Sequence, residues 1–296
     1  MTKLDAATQS EDDPILLAQA ETDALLHRVN EQITLDTFDP TDHHTLKQLV
    51  ESLGDSRGMT RLRAAETLGE IGEPATPFLL DALADHANVV VRRAAAKTLT
   101  LIGDPIAVPN LIHALLTDED TVVKGSSAGA LARTGEAAVP ALLDILASPE
   151  HPESTKGHAA WALAFIGSEA AEQLYQALDS DLVDVRCAAV GAIAHVAQEQ
   201  SDERACQVLV SALTDPEPVI RTEAAAALGQ INYPPALPHL ILALKDTNVE
   251  VRKAAVTTLG KTGDRMALEP LQAALTDELE VVRLLAKLAI AQLENQ

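Results

Sequence analysis

The sequence predicts an all-α fold, a right-handed α-solenoid of about eight short helical hairpins preceded by a capping helix. Three observations carry this prediction. Hydrophobic residues make up 47% of the chain while aromatic residues make up only 2%, so Ala, Leu and Val must do most of the packing. Ala and Leu favour helices, and small Ala side chains let helices approach closely. A motif of the type V-R-x-A-A-x-x-x-L also recurs along most of the chain, as in VVVRRAAAKTL and VEVRKAAVTTL.

The repeat is defined by a basic residue that returns every 30 to 35 positions. Seven positions later the residue is Leu or Ile in every case, which places it on the same face of a helix. One hairpin cannot bury its own apolar face, so consecutive hairpins must stack into a continuous core. The basic residues are Arg61, Arg92, Lys124, Lys156, Arg186, Arg221, Arg252 and Arg283.

Each unit has room for two helices. The first has a proline near its start in several repeats, where the missing N–H costs little. The second carries the basic residue and often ends at a glycine, as expected of a C-terminal cap. These glycines are Gly72, Gly103, Gly135, Gly167 and Gly263.

Residues 1–40 stand outside the repeat and form an acidic N-terminal segment, whereas residues 41–296 form the repeat domain. The stretch DDPILLAQAETDALLHRVN predicts one amphipathic helix that covers the exposed end of the first hairpin. The dozen residues before it are polar and acidic, and we expect them to be disordered.

An aspartate precedes the basic residue by six positions in five repeats. A catalytic carboxylate would be expected once rather than in most repeats. We therefore interpret these residues as helix N-caps that pair with basic residues in a ladder along the stack. The predicted ladder consists of Asp55, Arg61, Asp118, Lys124, Asp215, Arg221, Asp246, Arg252, Asp277 and Arg283.

The composition narrows the classes of function. The formal net charge of −22 disfavours nucleic acid and anionic membrane surfaces as partners. We expect a cytoplasmic protein, because no signal peptide or membrane-spanning run is seen and Cys187 and Cys206 lack a CxxC spacing. The histidines show no metal-ligand spacing, and no nucleophile or phosphate-binding motif is present. We predict no metal site and no catalytic residues.

Function in a solenoid is sought where the repeats differ, and the central repeats differ most. Positions one, five and nine after the basic residue share one helix face, expected to line a concave surface. In the central repeats these positions carry glycines and the chain's single tryptophan. In one interpretation the glycines allow close helix packing and the tryptophan fills the space. In the other they form a smooth floor for a partner, with aromatic anchors. The candidate partner-binding residues are Trp161, Phe165, Arg133, His195, His158, Gly125, Gly129, Gly157 and Gly191.

The roughly 31-residue unit, with VVVRRAAAKTL, VEVRKAAVTTLGKTGD and a Pro–Leu–Ala-Leu helix, resembles the HEAT-like repeats of the phycobilisome lyase family over residues 41–294. That resemblance implies an armadillo-like fold and a role with bilins and phycobiliproteins, in attachment, removal or phycobilisome degradation. It also implies, through another relative, interaction with an iron–sulfur scaffold protein. Lyase subunits have an aromatic-rich early repeat of the Y-Y-A-A-W-W-L-G type, whereas TRLRAAETLGEIG here has no aromatic residue.

Three functions follow from these observations, in order of preference. The first is a non-enzymatic, chaperone-like scaffold without a cofactor that holds a protein partner, such as a phycobiliprotein, around Trp161. The second is a subunit of a phycobilin lyase that binds bilin and acts on a phycobiliprotein cysteine. The third is a partner of an iron–sulfur cluster scaffold. In that case the scaffold protein must hold the cluster, because Cys187 and Cys206 alone cannot supply four thiolates.

Overall fold

The computed structural model describes residues 14–200, 202–231 and 233–295, and all regular structure in these residues is helical. The segment predicted to be disordered lies outside the described residues. The helices are α1 (Pro14–Thr34), α2 (His43–Glu51), α3 (Gly58–Ile71), α4 (Thr76–Asp85), α5 (Val89–Ile102), α6 (Val108–Thr117), α7 (Thr121–Arg133), α8 (Val139–Ala147), α9 (Glu153–Ile166), α10 (Ala171–Ala177), α11 (Val183–Gln200), α12 (Glu203–Ala212), α13 (Pro218–Ile231), α14 (Leu237–Ala243), α15 (Val249–Lys261), α16 (Leu268–Ala274) and α17 (Glu280–Glu294).

The chain forms two compact units, one ending at Ala138 and one beginning at Val139. The predicted boundary near residue 40 stays a prediction. Within the described residues the first unit contains α1 to α7 and the second contains α8 to α17. Each unit is an all-α solenoid of stacked hairpins, as the repeat predicts.

In the first unit, α1 packs against the second helix of the first hairpin, α3. It buries Leu25, Leu26 and Val29 on one side, which confirms the predicted amphipathic helix. Arg57, just before α3, donates to Asp23 of α1 at 2.8 Å. The hairpins α2–α3, α4–α5 and α6–α7 follow, with α3, α5 and α7 in contact in that order.

In the second unit, α9, α11, α13, α15 and α17 pack against one another in sequence, and each contacts its own first helix. The third residue after the basic residue faces this interior. In the second unit this residue is alanine in every repeat, with no solvent exposure: Ala159, Ala189, Ala224, Ala255 and Ala286. Because alanine projects only a methyl group, the stacked helices can approach closely.

Five glycines adopt a positive φ just beyond the second helices, as predicted from their position in the repeat. Their φ angles run from 59° to 76°, a region that side-chain-bearing residues rarely occupy. They are Gly72, Gly103, Gly135, Gly167 and Gly263. Each therefore lets the chain turn away from its helix without strain.

The ladder is continuous in the second unit from Arg186 onwards, where Arg186, Arg221 and Arg252 each bridge two repeats. Arg221 Nη1 donates to the carbonyl oxygen of Asp215 at 2.9 Å, in the turn before its own helix. Its Nε and Nη2 atoms donate to both carboxylate oxygens of Asp246, in the next repeat, at 2.7 Å. Arg252 repeats this arrangement with Asp246 and Asp277, and Arg283 donates to the carbonyl of Asp277. The ladder thus links the turns of successive hairpins.

The first unit departs from this pattern. Arg92 pairs with Asp118 at 2.9 Å, but Lys124 donates only to the carbonyl of Leu116, at 3.3 Å. Arg61 donates to the carbonyl of Asp55, while the carboxylate of Asp55 pairs with Arg57 instead.

The expectation that the ladder aspartates are helix N-caps is wrong. Asp118 Oδ1 accepts from the N–H of Asp120, two residues on, and it is Asp120 that caps α7. Likewise Asp246 accepts from the N–H of Asn248, which caps α15. These two ladder aspartates shape the turn before the helix, and both of their carboxylate oxygens also accept from an arginine.

Candidate functional site

Within each unit, the residues five and nine positions after the basic residue form rows along the open side of the second helices. Every residue of the ninth-position row is exposed in both units: Glu70, Leu101, Arg133, Phe165, His195, Gln230, Lys261 and Gln292. The fifth-position row is exposed or, at its glycines, half-buried. This surface is therefore available to a ligand or a partner.

The aromatic residues of α9 lie on this surface. Trp161 is 51% exposed and Phe165, one turn further along, is 55% exposed. Their ring centroids are 5.5 Å apart with an interplanar angle of 31°. The interpretation of Trp161 as a filler of the core is wrong, because α9 packs inward through Ala159, Ala162 and Leu163 instead.

Two of the four candidate glycines, Gly129 and Gly157, face open space. A Cβ atom added to Gly129 or Gly157 would meet nothing within 4 Å. Close helix packing therefore does not require glycine at either position. It does require glycine at Gly260 of α15, where an added Cβ would lie 2.7 Å from the Cβ of Ala289. Sequence reasoning missed that role, because nothing local distinguishes Gly260 from a surface glycine.

The candidate residues fall in both compact units. In the first unit, α7 carries half-buried Gly125 and Gly129 and the exposed side chain of Arg133 in its last turn. In the second unit, α9 carries Gly157, Trp161, Phe165 and the half-buried His158, and the adjacent α11 carries Gly191 and the exposed His195.

Sequence reasoning also missed a carboxyl group beside α11. A Cβ placed on Gly191 would lie 3.4 Å from Oε1 of Glu223, which belongs to α13. Glu223 is half-buried, and among the described residues no donor forms a hydrogen bond or an ion pair with it. Burial raises the pKa of its carboxyl group. The available signal was a glutamate at a position that is alanine in the repeats on either side, Ala188 and Ala254.

Cys187 of α11 lies near this carboxyl group. Burial, followed by the negative charge of Glu223, raises the pKa of its thiol to about 11. The thiol is therefore protonated at neutral pH and is a poor nucleophile. Cys206 is buried, burial also raises its pKa, and both cysteines are free.

Within the described ranges, no cluster of three or more His, Cys, Asp or Glu side chains is arranged to hold a metal ion. The same ranges contain no helix with both the length and the apolar character that crossing a bilayer requires.

The fold and the repeats define the class of protein. The model of the HEAT repeats family matches residues 46–132, 76–164, 108–186, 171–244 and 237–296. A chain in a structure of Kap95p bound to RanGDP is similar in fold, with a TM-score of 0.52 at 15% identity over 92% of this chain and 44% of that chain. The chain belongs to the HEAT-repeat family.

A narrower relationship follows from sequence identity. The chain is 38% identical over 224 residues to the bilin biosynthesis protein MpeU of Synechococcus sp. (strain WH8020), covering 75% of each protein. It belongs to the same family of HEAT-like proteins, which confirms the resemblance to the phycobilisome lyase family. A chain of the CpcE and CpcF complex of phycocyanin lyase from Nostoc sp. PCC7120 also aligns, with 22% identity, a TM-score of 0.36, and coverage of 83% of this chain and 94% of that chain.

Proposed function

We propose that this chain functions in bilin attachment to phycobiliproteins, and that it holds the bilin against the exposed aromatic pair of α9. The relationship to a bilin biosynthesis protein supports the lyase alternative better than the non-enzymatic scaffold that the sequence placed first. A phycobiliprotein is then the protein partner. Interaction with an iron–sulfur scaffold stays a prediction.

The observation that carries the proposal is the pairing of Trp161 with Phe165 at the surface, beside a glycine with open space above it. Two adjacent exposed aromatic rings form an apolar patch of the kind found at binding sites, because aromatic side chains supply much of the binding energy there. A bilin is a flat conjugated tetrapyrrole. It can lie against both rings, because Gly157, one turn before Trp161 on α9, has no side chain that would obstruct it.

The chemistry of the cysteines suggests that the chain carries the bilin without bonding it covalently. The raised pKa of Cys187 leaves its thiol protonated, so it does not compete with the acceptor cysteine of the phycobiliprotein. In this proposal the chain orients the bilin, and the acceptor protein supplies the thiol.

The experiment is co-expression of the chain with a phycobiliprotein subunit and a bilin-producing pathway. Bilin that stays on the subunit in a denaturing gel measures covalent attachment. We expect Trp161→Ala/Phe165→Ala to reduce attachment at least tenfold, as loss of a binding hot spot would. The matched control is Leu242→Ala, which removes a 69% exposed apolar side chain from α14 of the same unit. Equal attachment by wild type, the double variant and a culture lacking the chain would contradict the proposal.

A further inference from the structure

The open side of the second unit contains a carboxyl group whose environment differs from that of the ladder aspartates. Asp215, Asp246 and Asp277 each accept hydrogen bonds from an arginine of the preceding repeat. Glu223 is also removed from water in part, yet no donor contacts it in the described part of the chain. A carboxylate in this state loses hydration without compensation. An external donor that approaches from the open side would satisfy it.

The carboxyl group lies beside the aromatic pair. Trp161 and Gly191 occupy the same repeat position, five residues after the basic residue, on the neighbouring helices α9 and α11. The side chain of Glu223 reaches from α13 back towards Gly191. Its carboxyl group therefore lies about one helix spacing, roughly 8–10 Å, from the position of Trp161 on α9. No side chain on Gly191 separates the two features.

The donor that fits is one carried by a flat conjugated ligand. The rings of Trp161 and Phe165 offer a surface for stacking, and the carboxylate offers an acceptor at the edge of that surface. Pyrrole N–H groups lie in the plane of their rings, so a tetrapyrrole stacked on the aromatic pair directs them along the surface. A carboxylate then accepts charge-assisted hydrogen bonds, which are stronger than neutral ones.

We propose that Glu223 is the polar recognition group of this site and accepts hydrogen bonds from the pyrrole N–H groups of a linear tetrapyrrole held by Trp161 and Phe165. The inference rests on the proposed function. Glu223 positions the ligand and selects tetrapyrroles over flat ligands that lack N–H donors.

The test uses the full chain and purified biliverdin as the probe. Trp161 is the single tryptophan, so quenching of its fluorescence reports binding at the site. Dissociation constants and absorbance spectra of the bound tetrapyrrole are measured for wild type, Glu223→Gln and Phe165→Ala. Glu269→Gln is the matched control, because it removes the same charge from an exposed residue of α16 in the same unit.

We expect Glu223→Gln to weaken binding roughly fivefold to tenfold, as loss of a charge-assisted hydrogen bond predicts. We also expect it to shift the absorption maximum of the bound tetrapyrrole, a change that a structural role would not produce. Glu269→Gln should change neither quantity. Thermal unfolding of each variant checks that Glu223→Gln folds.

The two proposals fail in different ways. If wild type binds biliverdin, Phe165→Ala weakens binding, and Glu223→Gln matches wild type in affinity and spectrum, the role of Glu223 is overturned and the proposed function stands. If wild type binds no biliverdin, both the role of Glu223 and the bilin-holding function are overturned.

Discussion

Substitution of alanine for glycine should have opposite effects on the free energy of unfolding at two positions of the second unit, Gly157 and Gly260. Gly157 lies within α9, and a Cβ added there would meet nothing within 4 Å. Alanine is favoured over glycine in a helix by about 1 kcal/mol. Gly157→Ala should therefore increase the free energy of unfolding by up to about 1 kcal/mol.

Gly260 lies within α15 against α17. A Cβ added there would lie 2.7 Å from the Cβ and 2.9 Å from the Cα of Ala289, so one of the two helices must move. Overpacking of this kind costs about 1–3 kcal/mol, against a helix gain of about 1 kcal/mol. Gly260→Ala should decrease the free energy of unfolding by up to about 2 kcal/mol.

The assay is thermal unfolding followed by circular dichroism at 222 nm. One kcal/mol corresponds to about 2–4 °C in a domain of this size, so the two variants should melt several degrees apart. Equal melting temperatures would refute the reasoning, since they would mean that α15 and α17 are not packed as closely as the structure shows. Gly157→Ala should also weaken biliverdin binding despite its greater stability, because its methyl group rises into the proposed site.

Three further predictions concern buried polar groups and the ladder. Ser127→Ala should stabilise the chain by about 1 kcal/mol in urea unfolding, because the Ser127 hydroxyl is fully buried without a partner among the described residues and every other repeat has alanine there; a loss of stability would contradict this. Arg221→Met should destabilise the chain by roughly 1–3 kcal/mol at neutral pH by removing the paired bonds to Asp246. The hydrogen bond from Arg221 holds the pKa of Asp246 below its ordinary value of 3.8, so this stabilisation is present above that pH and is lost as the pH falls through the lowered pKa; parallel acid-unfolding curves for wild type and variant would refute the assignment. Cys187, which is half-buried and has a thiol pKa of about 11, should react with iodoacetamide at pH 8 far more slowly than free cysteine, and an equal rate would show that the thiol pKa is not raised.

The features that depend on local periodicity could be predicted from the amino-acid sequence. The basic residues defined the repeat length. The apolar stripes at intervals of three and four residues then located the helices of each hairpin, because such a stripe specifies the buried side of a helix. The same periodicity located the exposed rows, including Trp161 and Phe165. The five glycines that end second helices were also predictable, since a positive φ is a local requirement of the turn.

The differences between equivalent residues of successive repeats depend on contacts between helices. Gly157 and Gly260 both interrupt a helical pattern, yet one faces solvent and the other contacts Ala289 of the next helix. The position of Glu223 over Gly191 likewise depends on how α11 and α13 are placed against each other. The carboxylate that each ladder arginine binds also depends on the stacking of the hairpins, because the partner lies 25 to 29 residues away in the next repeat. Distances between helices set these contacts, and a one-dimensional pattern of residues does not contain those distances.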